Sequence, residues 1–367
     1  MSKLFQPSEI NGMPLANRFV RSATWEGLAD AGGGATPELV AAMAALASGG
    51  VGLIVTGHAY VRPEGQAGPR QLGLHADSLL PGLRAMTAAV HGAGGRIVAQ
   101  LAHAGTFAAQ DLTGTPPLAV SAFEGLAGTP RREIAREEIP ELVAAYAAAA
   151  RRAKAAGFDG VQIHSAHGYL LSQFLSPAFN RRTDEYGGGI YNRCRIHRQI
   201  LAGVREAVGD AYPVLIKMNG GDYVPGGLEL EDALEAGSIL ADAGLDAIEL
   251  SGGLLTGGKL SPSRTRISSE EKEAYFQEEA RAFREEIDLP LILVGGIRSF
   301  EVAERLVKKG LADYIAMSRP FIREPGLIAR WKAGDRRRAL CRSDNLCFRP
   351  GLAGDGVYCV TATAEEK

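Results

Sequence analysis

One unit recurs along the chain. A stretch with helical spacing of apolar residues ends at glycine, a short turn follows, and a brief unbroken apolar run comes next. The clearest cases are Ala155-Ala156-Gly157-Phe158-Asp159-Gly160 before Val161-Gln162-Ile163, and Ala243-Gly244-Leu245-Asp246 before Ala247-Ile248-Glu249-Leu250. Lys309-Gly310-Leu311-Ala312-Asp313 before Tyr314-Ile315-Ala316-Met317 repeats the pattern. Glycine suits the position past a helix end because it takes the left-handed conformation without a Cβ clash. Apolar runs without polar alternation read as strands buried on both faces, hence parallel strands. The pattern predicts strands at Arg18–Ser22, Gly52–Thr56, Ile97–Gln100, Val161–His164, Val214–Asn219, Ala247–Ser251, Leu291–Val294 and Tyr314–Met317. It predicts helices at Pro37–Ala47, Leu79–Ala89, Ile139–Ala155, Tyr191–Val208, Leu230–Ala243, Glu270–Ile287, Ser299–Lys308 and Pro325–Lys332.

Eight alternating strand–helix units point to the α/β class and a (β/α)8 TIM barrel. A doubly wound open sheet is the competing architecture, but no GxGxxG opens a helix after any strand. No Pro/Gly/Ser-rich linker divides the chain, so one domain is expected. The barrel is assigned to residues 1–335 and a loop-rich tail packed on it to 336–367.

Composition narrows the function classes. With 367 residues, 46% hydrophobic and 22% charged, the chain has the make-up of a protein with a sizeable core. The net charge of −2 provides no basic field, so nucleic acid is not expected as a partner. Four cysteines are too few for a disulfide scaffold. The start of the chain lacks a signal-like apolar core, and no run reaches the ~18 apolar residues of a membrane span. A cytoplasmic protein without membrane contact is expected.

In such barrels the chemistry lies where the strands run out. The strand ends carry His58, His103, His164, His167, Tyr169, Lys217 and Arg319 among glycines and serines. In His164-Ser165-Ala166-His167-Gly168-Tyr169, two imidazoles can bind one oxygen on which negative charge develops, and the phenol can deliver a proton. A structural pair or a surface zinc pair is the plainer reading, although no Asp, Glu or Cys nearby offers zinc a third ligand. Gly295-Gly296 and Ser318-Arg319 follow the last two strands, where barrels hold phosphate with backbone amides and a cation. Lys217 ends an apolar strand, which suits a cation facing a ligand's negative charge, a buried salt bridge to Glu249, or a Schiff-base lysine. Gln100 also projects from a strand end, and a flavin ring presents groups that an amide and a cation could match.

The tail spacing Cys341-x2-Asp344-x2-Cys347-x11-Cys359 would be an iron–sulfur pattern with cysteine at 344. Asp344 breaks it, and no metal is expected. If a cluster is nevertheless held, its ligands would be Cys341, Asp344, Cys347 and Cys359. The basic run from Arg330 to Arg342 reads as a solvated face, with contact to an anionic cofactor or to another subunit as the alternative.

These motifs resemble a known family. Leu4-Phe5-Gln6-Pro7, Pro14-Leu15-Ala16-Asn17-Arg18 and Gln100-Leu101-Ala102-His103-Ala104-Gly105 are similar to the old yellow enzyme family of FMN-dependent ene-reductases. So are His164 to Leu170, Phe174-Leu175-Ser176-Pro177, Asn180 to Gly188 and Asn192-Arg193. The tail resembles the branch of trimethylamine dehydrogenase and dienoyl-CoA reductases. The resemblance implies an FMN-bearing barrel reduced by NAD(P)H. Ala23 and Thr24 would lie beside the flavin, Gly57 and Gln100 would contact its ring, and Lys217 would sit near N1. Gly295, Gly296, Ser318 and Arg319 would hold the phosphate. His164 and His167 would bind a carbonyl oxygen, and Tyr169 would be the proton donor. Trp25 would narrow the substrate pocket, since it stands where one branch has a redox-tuning cysteine. Lys217 replaces the usual arginine.

The implied activity is NAD(P)H-dependent reduction of the activated C=C bond of an α,β-unsaturated carbonyl compound. An iron–sulfur flavin dehydrogenase or dienoyl reductase is one alternative. A flavin-binding redox sensor without turnover is another. A homo-oligomer is compatible with all three.

Overall fold

The computed structural model describes residues 2–122 and 131–365. Eight parallel strands close into a barrel: β1 (Phe19–Arg21), β2 (Leu53–Tyr60), β3 (Ile97–Ala102), β4 (Gly160–Ser165), β5 (Val214–Asn219), β6 (Ala247–Ser251), β7 (Leu291–Leu293) and β8 (Tyr314–Met317). The chain order is also the spatial order, and β8 pairs β1 to complete the ring. The expected (β/α)8 architecture is what forms. Part of the loop between β3 and β4, residues 123–130, lies outside the described residues.

The strands are apolar because both faces are covered. Outward side chains pack against the helices, and inward ones form a second core of Val20, Leu53, Val55, Val98, Leu215, Ala247, Ile292, Tyr314 and Ala316. A hairpin of Ser8–Ile10 and Met13–Leu15 adds Ile10, Met13 and Leu15 to that inner core. Its turn is Asn11-Gly12, both at positive φ, the pair that a two-residue hairpin favours. The hairpin packs against the inner core, and the strands' opposite, C-terminal ends carry the polar groups described below.

One predicted helix is shorter in the structure. Residues 270–287 split into a 3-10 turn at Glu270–Lys272 and a helix at Gln277–Glu286. Ala274 sits at φ 51 between them, where a helix cannot continue. The break places Glu273 in the interior, where its carboxylate accepts from the Arg298 and Ser299 amides and the Ser299 hydroxyl at 2.8, 2.9 and 2.7 Å. Glu273 thereby anchors the loop that leaves β7. Replacing it by alanine leaves these buried donors unpaired, at roughly 1–3 kcal/mol for the first of them. Glu273→Ala is expected to lower the urea midpoint of unfolding without changing the denaturant slope.

Candidate active site

The C-terminal ends of the strands surround a cleft of about 170 Å3, lined by Ala23, Thr24, Trp25, His58, Gln100, His164, His167, Tyr169, Lys217 and Ser251 among others. It shares Pro262, Ser263, Val294 and Ser318 with a narrower extension that reaches Gly296, Arg298 and Arg319. Residues spread over nearly 300 positions of sequence thus face one continuous space.

Four rings form one wall of the cleft. His164 stands edge-on to Tyr169 and to His167, with ring centroids 4.8 and 5.5 Å apart. His58 is the fourth ring, and its Nε2 lies 3.2 Å from the Tyr169 hydroxyl. The backbone explains each position. At the end of β4 the chain turns through His167 (φ 65) and Gly168 (φ 85), which brings Tyr169 back over the strand end. In β2 the register with β3 shifts between Val55 and His58. A bulge of this kind re-aims the side chain that follows it, here His58, into the cleft. The Gly57 amide at the bulge donates to Glu26 Oε1 at 3.0 Å.

Burial tunes these groups. It lowers the His58 imidazole to about 4 and holds His164 and His167 well below the usual histidine range, with nearby positive groups adding to the effect for the latter two. All three are therefore neutral near pH 7. Burial also pushes the Tyr169 phenol up, so that it keeps its proton. Ser251 Oγ holds His167 Nε2 at 2.8 Å, and His164 Nδ1 is buried without a partner.

Beside the rings, a polar chain crosses the barrel interior. Lys217 Nζ donates to Glu249 Oε1 at 2.9 Å and to Ser22 Oγ at 2.7 Å. Ser22 donates to the same Glu249 oxygen at 2.5 Å. Gln162 Nε2 donates to Glu249 Oε2 at 2.8 Å, and Gln100 Nε2 donates to Gln162 Oε1 at 2.7 Å. The direction is forced, because a carboxylate can only accept. Gln162 must turn its amide nitrogen to Glu249, so Gln100 must turn its own to Gln162. That leaves the Gln100 oxygen as its acceptor for a ligand N–H. Lys217, with three N–H groups, keeps one beyond Glu249 and Ser22. The salt bridge and the ligand-facing reading of Lys217 therefore coexist.

The narrow extension carries groups expected to hold a phosphate. Gly296 lies at φ 70, and a Cβ there would come within 2.6 Å of the Tyr275 ring. Bare backbone is thus required at this point. Arg319 donates from Nη1 to Asn345 Oδ1 at 2.6 Å, and Asn345 in turn donates to the Ser263 carbonyl at 2.7 Å. Ser318 Oγ lies 2.7 Å from Thr24 Oγ1, joining the two ends of the cleft. Gly295 and Gly57 are the predicted contacts that do not line the cleft. Gly295 instead accepts the Tyr275 amide at 3.2 Å.

The family model described as NADH:flavin oxidoreductase / NADH oxidase matches residues 3–337. The chain belongs to this family, that of old yellow enzyme. A metal reductase of Desulforamulus reducens is 37% identical over 336 residues, which cover 91% of this chain and 49% of the relative. The chain thus spans about half the length of that relative. A 4,4'-dithiodibutanoate disulfide reductase of Rhodococcus erythropolis is 33% identical, covering 98% of this chain and 95% of its own. The solved old yellow enzyme homologue from Zymomonas mobilis superimposes with a TM-score of 0.78 at 27% identity, covering 93% of this chain and 96% of its own.

FMN is the cofactor of this family. The residues present fit FMN. Lys217 and the Gln100 oxygen offer a donor and an acceptor to a heteroaromatic edge. The bare Gly296 backbone and Arg319 offer amide and guanidinium donors to a phosphate. Trp25 Nε1 is buried without a partner, and the indole forms a wall shared with an apolar pocket lined by Met43, Leu46, Phe321 and Ile322.

The tail contributes to the walls of the site. Phe348 lines the cleft, Ser343 lines its extension, and the Val357 amide donates to the Glu26 carbonyl at 2.7 Å. Burial raises the Cys341 thiol and pushes Cys347 up to about 11. Asp344 accepts from the Leu346 amide and the Thr361 hydroxyl at 3.0 and 3.1 Å. Among the described residues, no three His, Cys, Asp or Glu side chains group as metal ligands. This donor set does not fit a four-iron cluster, which takes four thiolates.

Sequence reasoning placed His58 at the rim without a role. It named Glu249 only as a salt-bridge partner for Lys217, which the structure bears out. It missed Ser22, Gln162 and Ser251 as members of the site. A usable signal existed for one of them. Gln162, like Glu249, is a single polar residue inside an otherwise apolar strand, and such residues need a buried partner.

Proposed function

We propose that the protein is an NAD(P)H-dependent flavin oxidoreductase that reduces the activated C=C bond of an α,β-unsaturated carbonyl compound. The observation that carries this reading is the convergence of His58, His164, His167 and Tyr169 on one cleft with Gln100 and Lys217. Bound FMN would supply the two-electron chemistry, taking hydride from NAD(P)H and returning it to the acceptor.

The protein's own groups do the rest. His164 and His167, kept neutral, present N–H donors to the acceptor's carbonyl oxygen as negative charge builds on it. Such donors act strongly in a site that excludes water. With hydride supplied to the β-carbon, Tyr169 would give its proton to the α-carbon. His58, in contact with the Tyr169 oxygen at 3.2 Å, orients the hydroxyl. Lys217 and Gln100 hold the ring edge, and Arg319 with the Gly296 backbone holds the phosphate.

A second acceptor class has one finding in its favour. The Rhodococcus relative, matched over nearly all of both chains, is a disulfide reductase. A disulfide in the same cleft would take two electrons and release two thiols, with Tyr169 protonating a departing thiolate.

An anaerobic titration tests both. The flavin absorbance is expected to bleach with NADH or NADPH and to return on adding an enone. Return only with a small dialkyl disulfide would favour the second class. A colourless protein that cannot be reconstituted with FMN would overturn the proposal.

A further inference from the structure

We propose that Glu249 tunes the reduction potential of the bound flavin by offsetting the charge of Lys217. The inference rests on the flavin seat proposed above and goes beyond it, because Glu249 does not itself line the cleft. It acts through Lys217 as a positioning residue.

Three observations support it. First, Glu249 is fully buried, and Lys217 is 4% exposed. Neither charge is screened by bulk water, so each acts at longer range than a surface charge would. Second, the carboxylate is held by three donors. Lys217, Ser22 and Gln162 all donate to it, from three other strand ends or strands. Third, the pairing distance is 2.9 Å, and β5 and β6 place Lys217 and Glu249 directly opposite each other in register. A ligand beside Lys217 thus faces an ion pair with little net charge rather than a free ammonium. The remaining Lys217 N–H still gives a hydrogen bond to the ring edge. Geometry and charge are separated: the lysine orients, while the carboxylate cancels most of its field.

The choice of lysine also matters to this arrangement. An arginine could keep a bidentate pair with the carboxylate and still present other N–H groups to a ligand. Lysine has one nitrogen, so the carboxylate that orients it lies next to the group facing the flavin.

Replacing Glu249 with a neutral isostere leaves the Lys217 charge uncompensated. This stabilises reduced FMN, which gains negative charge, over oxidised FMN. Removing the lysine charge instead leaves the buried Glu249 charge without its counter-charge and has the opposite effect. Spectroelectrochemical titration of bound FMN provides the test. Glu249→Gln is expected to favour reduced over oxidised FMN about tenfold, or about 30 mV upward for a two-electron couple. Lys217→Gln is expected to move the potential downward. Glu249→Asp, which keeps the charge and shortens the arm, is expected to stay near the wild-type value.

Opposite signs matter because simple damage to packing has no reason to move the two variants in opposite directions. Shifts of the same sign in Glu249→Gln and Lys217→Gln would overturn the inference. So would an unchanged potential in Glu249→Gln with FMN bound. Should Glu249→Gln fail to fold, a Lys217→Gln potential at or above wild type overturns it on its own. A wild-type protein that takes up no FMN overturns the flavin seat itself, and this inference with it.

Discussion

Tyr169→Phe is expected to slow the acceptor-driven reoxidation of bound FMN by about 10²–10⁴-fold, the usual worth of a positioned general acid. The hydroxyl sits 3.2 Å from His58 Nε2, and its ring stands edge-on to His164. Burial keeps the phenol protonated, so it is ready to donate at neutral pH. Phenylalanine keeps the ring and its packing and removes only the proton. Reduction by NAD(P)H needs no proton from this residue and should retain its rate. Stopped-flow measurement of the two half-reactions separates these steps. Equal losses in both would show that the hydroxyl serves binding or structure and not proton delivery. A disulfide acceptor should show a smaller effect, because a thiolate leaves without prior protonation more readily than a carbanion forms.

Acid should unfold the protein well above the pH at which its carboxylates titrate. His103, His164 and His197 are all buried, and burial lowers His103 and His197 to about 3 and holds His164 well below its usual value. The unfolded chain takes up protons near pH 6.5, whereas these folded sites do not. The unfolded state therefore binds more protons below that pH, and stability falls as pH drops. The contribution is complete above pH 6.5 and is lost progressively towards the folded values. At pH 5 each of these imidazoles costs about 2 kcal/mol, set against a total stability on the order of 5–15 kcal/mol. Urea midpoints at pH 7.5, 6 and 5 are expected to fall steeply across the series. A midpoint unchanged down to pH 5 would mean that the rings admit protons without cost. His197→Gln should flatten the slope by about one proton over the same range, since Ser165 Oγ can still pair with the amide where it now meets His197 Nε2 at 2.8 Å.

Much of the scaffold was legible because parallel strands covered on both faces must be apolar throughout. Val214–Asn219, Ala247–Ser251 and Tyr314–Met317 form strands with the predicted ends. Other segments were not legible. The hairpin at residues 8–15 is only a few residues long on each side, too short for periodicity, although its Asn-Gly turn is a local signal. The helix expected from Glu270 is interrupted by a left-handed Ala274, because Glu273 is drawn inward to the β7 loop by the Arg298 and Ser299 donors. The strand expected to end at Thr56 continues to Tyr60, and its bulge turns His58 into the site.

The sequence by itself determined the barrel and the residue types at its rim. Local rules govern both: glycine past helix ends, unbroken apolar runs, and chemistry where strands stop. Tertiary structure alone decided which rim groups meet. His58 reaches Tyr169 across 111 positions, and Ser22 reaches Glu249 across 227. These contacts arise from strand order, register and one bulge, which no local pattern of apolar and polar residues encodes. The charge beside Lys217 is settled in the same way, since Glu249 comes to face it only when β5 and β6 pair in register.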